Sequence, residues 1–122
     1  MKTKPRVKRI VSNFTAAAPG MAEAFYRDVL GLELLMDQGW IQTYGAGTKM
    51  SVQVSFMSQG GSDTAVPDLS IEVDDVDAAH DALKLAGFVS EYGPVDEPWG
   101  VRRFYVRDPF GNLVNILAHS PR

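Results

Sequence analysis

A repeated order of predicted secondary structure constrains this chain more than any other feature of its sequence. Each half begins with an alternating, β-rich segment, continues with apolar residues at helical spacing, and ends in three short strand-like segments separated by turn residues. The intervals agree closely, because Val11 and Gly31 are 20 positions apart and Asp68 and Gly87 are 19 apart, each glycine being an expected helix stop. The pattern predicts an α+β fold built from two βαβββ modules.

The repeat organises residues 1–122 into a single predicted domain. Module one is expected at about residues 6–57 and module two at 68–119, with a linker rich in small and polar residues at 58–67. A helix is predicted early in each module, because apolar residues recur there at helical spacing. The predicted strands span residues 6–15, 32–36, 40–44, 49–57, 68–73, 88–92, 101–107 and 112–119.

Composition and charge exclude several classes of function. A net charge of −3 provides no basic face for a nucleic-acid backbone, and there is no cysteine for a disulfide, a thiolate nucleophile or a Cys-ligated metal. No apolar run approaches the ~20 residues that span a bilayer. The composition therefore favours a soluble, cytoplasmic protein with neither a nucleic-acid nor a membrane partner.

Alternation along the predicted strands separates an apolar face from a polar face. In module two the polar set includes Ser70, Glu72, Arg103 and Tyr105. One interpretation is a solvated face, which antiparallel sheets often have. The other is a cavity lined by polar groups and by four large rings, since small-molecule sites are usually built in this way. These rings belong to Trp40, Tyr44, Trp99 and Tyr105.

Several sequence motifs resemble those of one known superfamily. They are FYRDVLGL at residues 25–32, IEVDDV at 71–76, and PWG at 98–100 followed by RDPFGN at 107–112. Together they resemble signatures of the vicinal oxygen chelate superfamily, which includes glyoxalase I, the bleomycin-resistance proteins, extradiol dioxygenases and fosfomycin-resistance enzymes. The resemblance covers nearly the whole chain. It implies paired βαβββ modules whose sheets form half-open barrels around a cavity, usually in a homodimer.

The resemblance also implies four positions where enzymes of this superfamily hold a divalent metal, usually with His, Glu or Gln. In this sequence they fall on Val11, Gln53, Asp68 and Asn115. Only Gln53 is a residue type used at these positions, and the aliphatic side chain of Val11 cannot bind a metal. Both histidines, His80 and His119, are expected away from the polar face. We therefore expect no metal and no other cofactor, with a bound divalent ion as the alternative.

The first functional hypothesis is a metal-free protein that binds a small organic molecule in a polar and aromatic cavity, as the bleomycin-resistance proteins do by sequestration. Arg103 would contact an anionic group of the ligand, or pair with Asp68 or Glu72 in the empty protein. Trp99 would stack on the ligand or anchor its own turn. The predicted ligand-binding residues are Trp40, Tyr44, Gln53, Trp99, Arg103 and Asn115.

The second hypothesis is an enzyme of the lyase or isomerase type. Without metal, Asp68 would act as general base, and Tyr105 would act as acid beside Arg103 during proton transfer next to a carbonyl. A third possibility is a metal lyase resembling lactoylglutathione lyase, with a metal site that the sequence does not reveal.

Overall fold

The structure of the chain, a computed structural model, describes residues 5–29, 31–46 and 53–120. Parts of two predicted elements lie outside these residues, namely Leu30 at the end of the first helix and residues 49–52 at the start of the fourth strand. Within the described residues, no helix has both the length and the apolar character needed to cross a membrane.

The chain divides into two compact units. The first unit comprises Val11–Val66, and the second comprises Met1–Ile10 together with Pro67–Arg122. Strand β1 (Val7–Thr15) therefore contributes its first residues to the second unit and its remaining residues to the first.

The first unit contains most of β1 together with β2 (Glu33–Asp37), β3 (Ile41–Gly45) and β4 (Gln53–Met57). Strand β3 pairs antiparallel with β2 on one side and with β4 on the other. Strand β4 in turn pairs parallel with β1. The strands predicted in this half of the sequence are confirmed within the described residues.

The first helical segment is less regular than the sequence predicts. It consists of a 3-10 helix at Pro19–Ala22 followed by a π-helix at Ala24–Val29. The wide coil ends where Leu32 N–H donates to the carbonyl of Tyr26 at 2.9 Å. The Tyr26 ring lies 4.8 Å from that of Phe56 on β4, so this ring supplies the contact with the sheet. The prediction of an ordinary α-helix was therefore wrong in type, because the backbone of this segment forms a wider turn that ends in the hydrogen bond from Leu32 to Tyr26.

The second unit contains β5 (Leu69–Val73), β6 (Tyr92–Asp96), β7 (Val101–Arg107) and β8 (Leu113–His119). Strand β8 lies between β5, to which it is parallel, and β7, to which it is antiparallel. Strand β6 pairs antiparallel with the outer side of β7.

Helix α1 (Val76–Leu85) packs on one face of the second unit's sheet. Asp75 caps it by accepting a 3.0 Å hydrogen bond from Ala78 N–H, as the acidic cluster in the sequence indicates. Val76 and Ala79 of the helix are buried in a cluster with side chains from three strands. The strand residues of this cluster are Val73, Phe104, Val106, Val114 and Ile116.

The strand predicted at residues 88–92 is displaced in the structure, where β6 spans Tyr92–Asp96. Phe88 instead closes the end of α1, because its N–H donates to the carbonyl of Leu83 at 2.8 Å and its side chain packs against the apolar cluster. The prediction was wrong because apolar residues that follow a helix can complete its packing instead of starting a strand.

Candidate functional site

The sheet of the second unit has a polar face opposite the face that packs α1. Side chains at directly paired positions point to the same side of a sheet, and Asn115 of β8 is paired with Ser70 of β5 and Tyr105 of β7. Leu117 is likewise paired with Glu72 and Arg103. We call this surface the polar face and define it by Ser70, Glu72, Arg103, Tyr105, Asn115 and Leu117.

A buried ion pair stands at the edge of the polar face. Arg103 Nε donates to Glu97 Oε2 at 2.7 Å, and each side chain is only 3% exposed. The Tyr92 hydroxyl donates to the same Glu97 oxygen at 2.7 Å, and Arg103 Nη1 donates to the Tyr105 hydroxyl at 3.1 Å. Such pairing is what makes two buried charges tolerable, since an unpaired charge in this setting is strongly destabilising.

Three aromatic rings surround the Arg103 guanidinium. Its central carbon lies 4.9 Å from the ring centre of Tyr105, 5.0 Å from that of Trp99 and 5.5 Å from that of Tyr92. These distances allow cation–π attraction. We call Tyr92, Glu97, Trp99, Arg103 and Tyr105 the Arg103 network.

The hairpin between β6 and β7 assembles this network. Glu97 follows β6, and its N–H donates to the carbonyl of Val101 at 2.7 Å, which fixes the turn that carries Trp99. Pairing of Tyr92 with Tyr105 brings their rings within 5.5 Å of each other. Glu97 was not among the predicted site residues, because the predicted strand at 88–92 left it outside the hairpin. The signal that could have revealed it is the Pro98-Trp99-Gly100 turn, which joins two paired strands.

Asn115 carries an unpartnered buried oxygen. Its Nδ2 donates to Ser70 Oγ at 3.2 Å, whereas its Oδ1 is buried and has no hydrogen-bond partner among the described residues. The residue as a whole is 7% exposed. A buried acceptor without a partner costs roughly 1–3 kcal/mol. The polar face therefore holds a position where a hydrogen-bond donor would be stabilising.

A second charged group, Glu72, lies on the polar face and is held by Arg9 and His119. Arg9 donates from Nε to Glu72 Oε1, and His119 Nδ1 lies 3.1 Å from Glu72 Oε2. Burial raises the pKa of Glu72, but the hydrogen bonds from Arg9 and His119 outweigh burial and hold this pKa below its ordinary value. The expectation that His119 would lie away from the polar face was therefore wrong.

The predicted charge partners of Arg103 are also corrected. Glu72 is engaged with Arg9, and Asp68 Oδ2 accepts a 2.9 Å hydrogen bond from the backbone N–H of Leu113. Asp68 precedes β5 and is exposed, so it ties two chain segments together instead of joining the Arg103 network. The predicted partners were wrong because polarity assigns a residue to a face without specifying its partner.

The other predicted ligand-binding residues belong to the first unit. Tyr44 is fully buried, packs on the helical side with its ring 6.1 Å from that of Tyr26, and donates to Gln42 Oε1 at 2.5 Å. Gln53 lies on the opposite side of the sheet, because it neighbours Val54, which is the residue paired with Tyr44. Tyr44 and Gln53 therefore do not share a face. Trp40 is half-buried, and its carbonyl accepts from Ser58 N–H at 2.9 Å.

A short polar row lies on the Gln53 side of the first unit. Ser55 is paired with Thr43 across β3 and β4 and with Asn13 across β1 and β4. All three are buried, and the Thr43 and Ser55 hydroxyls lie 2.7 Å apart. In both units an asparagine is thus paired with a serine across parallel strands, a relation that only strand register reveals.

The residues at the four metal-ligand positions implied by the resemblance do not fit a metal. Val11 has no donor atom, Asp68 is bonded to a backbone amide, and Asn115 is bonded to Ser70. Nowhere in the part of the chain that the structure describes do three or more His, Cys, Asp or Glu side chains form a group able to hold an ion. Divalent transition metals require several such ligands, so we derive no step through a metal.

A surface pocket of about 420 Å³ lies elsewhere in the second unit and is lined by Arg6, Val7, Lys8 and Asp74. It includes neither a polar-face residue nor a member of the Arg103 network. We therefore assign the candidate site from the buried polar side chains around Asn115 and not from this surface pocket.

Comparison with known families agrees with the architecture and the motifs. A sequence model described as Glyoxalase/Bleomycin resistance protein/Dioxygenase superfamily matches residues 14–116, which is most of the chain. The chain belongs to this superfamily. The resemblance drawn from the motifs is thereby confirmed, as is the α+β fold. No curated protein matches the sequence.

Solved structures show the same fold in proteins of different description. One is titled NAD-dependent benzaldehyde dehydrogenase from Legionella pneumophila; it is 18% identical, with a TM-score of 0.75, over 92% of this chain and 100% of that chain. Methylmalonyl-CoA epimerase from Mycobacterium tuberculosis is 18% identical, with a TM-score of 0.68, and the match covers 99% of this chain and 94% of that chain. The Mn(II)-bound glyoxalase from Novosphingobium aromaticivorans is 22% identical, with a TM-score of 0.64, and the match covers 97% of this chain and 42% of that chain. At these identities the likeness concerns the fold alone.

Proposed function

We propose that this superfamily member binds a small organic molecule on the polar face of its second unit and does so without a metal. The observation that carries the proposal is the buried, unpartnered Oδ1 of Asn115 between Ser70 and Tyr105. A buried polar atom without a partner requires an explanation, and a ligand donor provides one.

The neighbouring residues suit this role. The Arg103 network is a bonded aromatic and charged wall that needs little rearrangement when a ligand arrives, and a preorganised wall favours affinity. Trp99 is half-buried and offers a planar surface for the ligand. Considered by itself, the first unit keeps Trp40 and Gln53 as proposed ligand contacts, whereas Tyr44 is not proposed, since it packs on the helical side.

The test is a thermal-shift screen of a diverse library of small molecules against protein dialysed with EDTA. Compounds that bind the polar face should raise the melting temperature of the wild-type protein and have a smaller effect on Asn115→Leu, which removes the unpartnered oxygen. Asn112→Leu, in the exposed turn before β8, is the matched control and should respond as the wild type does. A screen without stabilising compounds, or equal shifts in Asn115→Leu, would count against the proposal.

One contact favours a second candidate function, a metal-independent lyase or isomerase. Arg103 Nη1 donates to the Tyr105 hydroxyl at 3.1 Å, and a cation beside a phenol stabilises the phenolate left after proton donation. Asp68 is a poorer candidate for the base, because it is exposed and bonded to Leu113. Once a substrate is known, Tyr105→Phe should abolish turnover while retaining binding; unchanged turnover would remove this assignment.

We also propose that the protein is a cytoplasmic homodimer. Within the first unit, Met21, Phe25 and Val29 are 81%, 58% and 75% exposed, although their spacing places them along one side of the helical segment. Clustered exposed apolar side chains are typical of association surfaces. Light scattering should give the mass of two chains, and Phe25→Ser should shift the equilibrium towards one chain.

A further inference from the structure

The two histidines of the chain have different surroundings. His80 Nδ1 lies 3.4 Å from Asp81 Oδ1, and its Nε2 lies 3.4 Å from Ser90 Oγ, so both ring nitrogens have a polar neighbour. His119 Nδ1 lies 3.1 Å from Glu72 Oε2, and the His119 side chain is 55% exposed. Among the described residues, Glu72 is the hydrogen-bond partner of His119. His119 is therefore the histidine whose second ring nitrogen can meet a molecule from solution.

Glu72 determines which ring nitrogen of His119 carries the proton. An ionised carboxylate only accepts hydrogen bonds, so Nδ1 must donate, and the Nε2 of the neutral ring is then an acceptor. The pKa of Glu72 is lowered by its hydrogen bonds from Arg9 and His119, which keeps the carboxylate ionised at neutral pH. Arg9 engages the other Glu72 oxygen, so the carboxylate is fixed on both sides. A histidine oriented in this way by a carboxylate has the arrangement of a general base.

This base lies at the end of the polar face. Glu72 is paired with Leu117, and His119 follows two residues later on the same side of β8. His119 is four positions from Asn115 along the strand, which is roughly 13 Å at ~3.3 Å per residue. A substrate therefore needs only to bring its reacting group to the exposed ring and does not have to enter the buried part of the sheet.

We propose that His119 is a general base that hydrolyses small uncharged aryl esters, with Glu72 and Arg9 as positioning residues. His119 Nε2 takes a proton from water while the water oxygen bonds to the ester carbonyl carbon. The tetrahedral intermediate then breaks its bond to the aryl oxygen, the phenolate leaves, and the proton on Nε2 passes to solvent. Ester and water thus become a carboxylic acid and a phenol, and water is the one co-reactant.

The leaving group determines the substrate class. A phenolate is stable enough to leave without a proton from an acid, whereas an alkoxide leaves with the help of a general acid. A base that acts without a positioned acid is therefore suited to aryl esters. This activity is independent of the ligand proposed to bind next to Asn115.

The test is steady-state hydrolysis of 4-nitrophenyl acetate by the untagged, EDTA-dialysed protein, followed by the absorbance of 4-nitrophenolate. His119→Gln should lower the protein-dependent rate about a hundredfold, the lower end of what a positioned base contributes. His80→Gln is the matched control and should keep the wild-type rate. The wild-type rate should be low at about pH 5 and level off above about pH 8, because only the neutral imidazole accepts a proton. It should also be lower in D₂O, because a proton moves in the step.

A second readout tests the positioning role of Glu72. Long-range ¹H–¹⁵N spectra of the imidazole distinguish the two tautomers, and at about pH 8 His119 should carry its proton on Nδ1. Glu72→Leu should remove this preference and lower the rate of hydrolysis. Glu91→Gln, which changes an exposed carboxylate elsewhere in the second unit, should do neither. If Glu72→Leu does not fold, the wild-type tautomer and the two histidine variants still decide.

The outcomes that would overturn the proposal are specific to it. They are a proton on Nε2 of neutral His119, equal rates in His119→Gln and His80→Gln, or equal rates in H₂O and D₂O. Each of these results would leave the proposed ligand binding standing, because that proposal depends on the thermal shifts of Asn115→Leu. Absence of stabilising compounds in the screen would likewise leave the His119 assignment standing.

Discussion

Arg103 donates to Glu97 at 2.7 Å across the hairpin formed by β6 and β7, and both side chains are almost completely removed from solvent. Exposed ion pairs contribute little, whereas breaking a buried pair from one side leaves a charge stranded. Breaking this pair should therefore destabilise the second unit.

Removing one member of the pair should be strongly destabilising. We expect Glu97→Gln or Arg103→Met to lower the free energy of unfolding by about 3–5 kcal/mol, and Arg103→Met/Glu97→Leu to lose less than the sum of its single changes. Denaturant unfolding measures each value. The control is Glu91→Gln, which breaks the exposed Arg107–Glu91 pair and should cost less than about 1 kcal/mol. Similar losses at both pairs would contradict the assignment.

Asn115→Leu should have little effect on stability in the absence of a ligand. The change removes an unpartnered acceptor, and this gain offsets the lost hydrogen bond to Ser70, so the free energy of unfolding should stay within about 1 kcal/mol of the wild-type value. Ser70→Ala instead leaves Asn115 Nδ2 without its partner and should cost about 1–2 kcal/mol. The same denaturant measurement checks both, and a loss above about 3 kcal/mol in Asn115→Leu would mean that Oδ1 has a partner.

Acid stability should depend on Glu72. Its pKa is lowered in the folded state by hydrogen bonds from Arg9 and His119, against the opposing effect of burial. The ionised carboxylate therefore stabilises the folded state above its unfolded-state pKa, and this contribution is lost as the pH falls through the folded-state pKa. The stability advantage of the wild type over Glu72→Gln should thus decline below about pH 5. Arg9→Met should remove much of this pH dependence. Stability profiles of the wild type and Glu72→Gln that stay parallel as the pH falls would contradict the assignment.

Gly93→Ala should disrupt the hairpin that holds Arg103. Gly93 has a φ of 76°, and an added Cβ would lie 2.5 Å from the backbone oxygen of Arg103. Gly100 has a φ of 89°, but a Cβ there would meet no described atom within 4 Å. Gly100→Ala should cost about 1–2 kcal/mol from backbone strain alone, and Gly93→Ala should cost clearly more. Equal costs would argue against the pairing between β6 and β7.

Sequence patterns predicted the fold where turns and alternation agree. Gly100 and the Asp108-Pro109 turn bound β7, and the structure gives that strand the predicted limits Val101–Arg107. Alternation also assigned Ser70, Arg103 and Tyr105 to one face, as the strand register bears out. Local rules suffice in such cases, because the residues that stop a strand and the residues that face its core are neighbours in sequence.

Other features depend on contacts that no local pattern encodes. Tyr44 lies in a strand buried along its whole length, so polarity gave no indication of which face its ring occupies. The strand register of the hairpin brings Glu97 next to Arg103, and that register depends on where β6 begins. The unpartnered state of Asn115 Oδ1 is likewise a property of the assembled sheet and not of the sequence near residue 115.

Titration calorimetry with the strongest compound from the ligand screen tests the central proposal most directly. The compound is titrated into EDTA-dialysed wild-type protein, into the same protein supplied with Mn²⁺, and into Asn115→Leu. We predict the same dissociation constant with and without Mn²⁺, and about tenfold weaker binding to Asn115→Leu. Binding that requires Mn²⁺, or that is unaffected by Asn115→Leu, would contradict a metal-free site centred on Asn115.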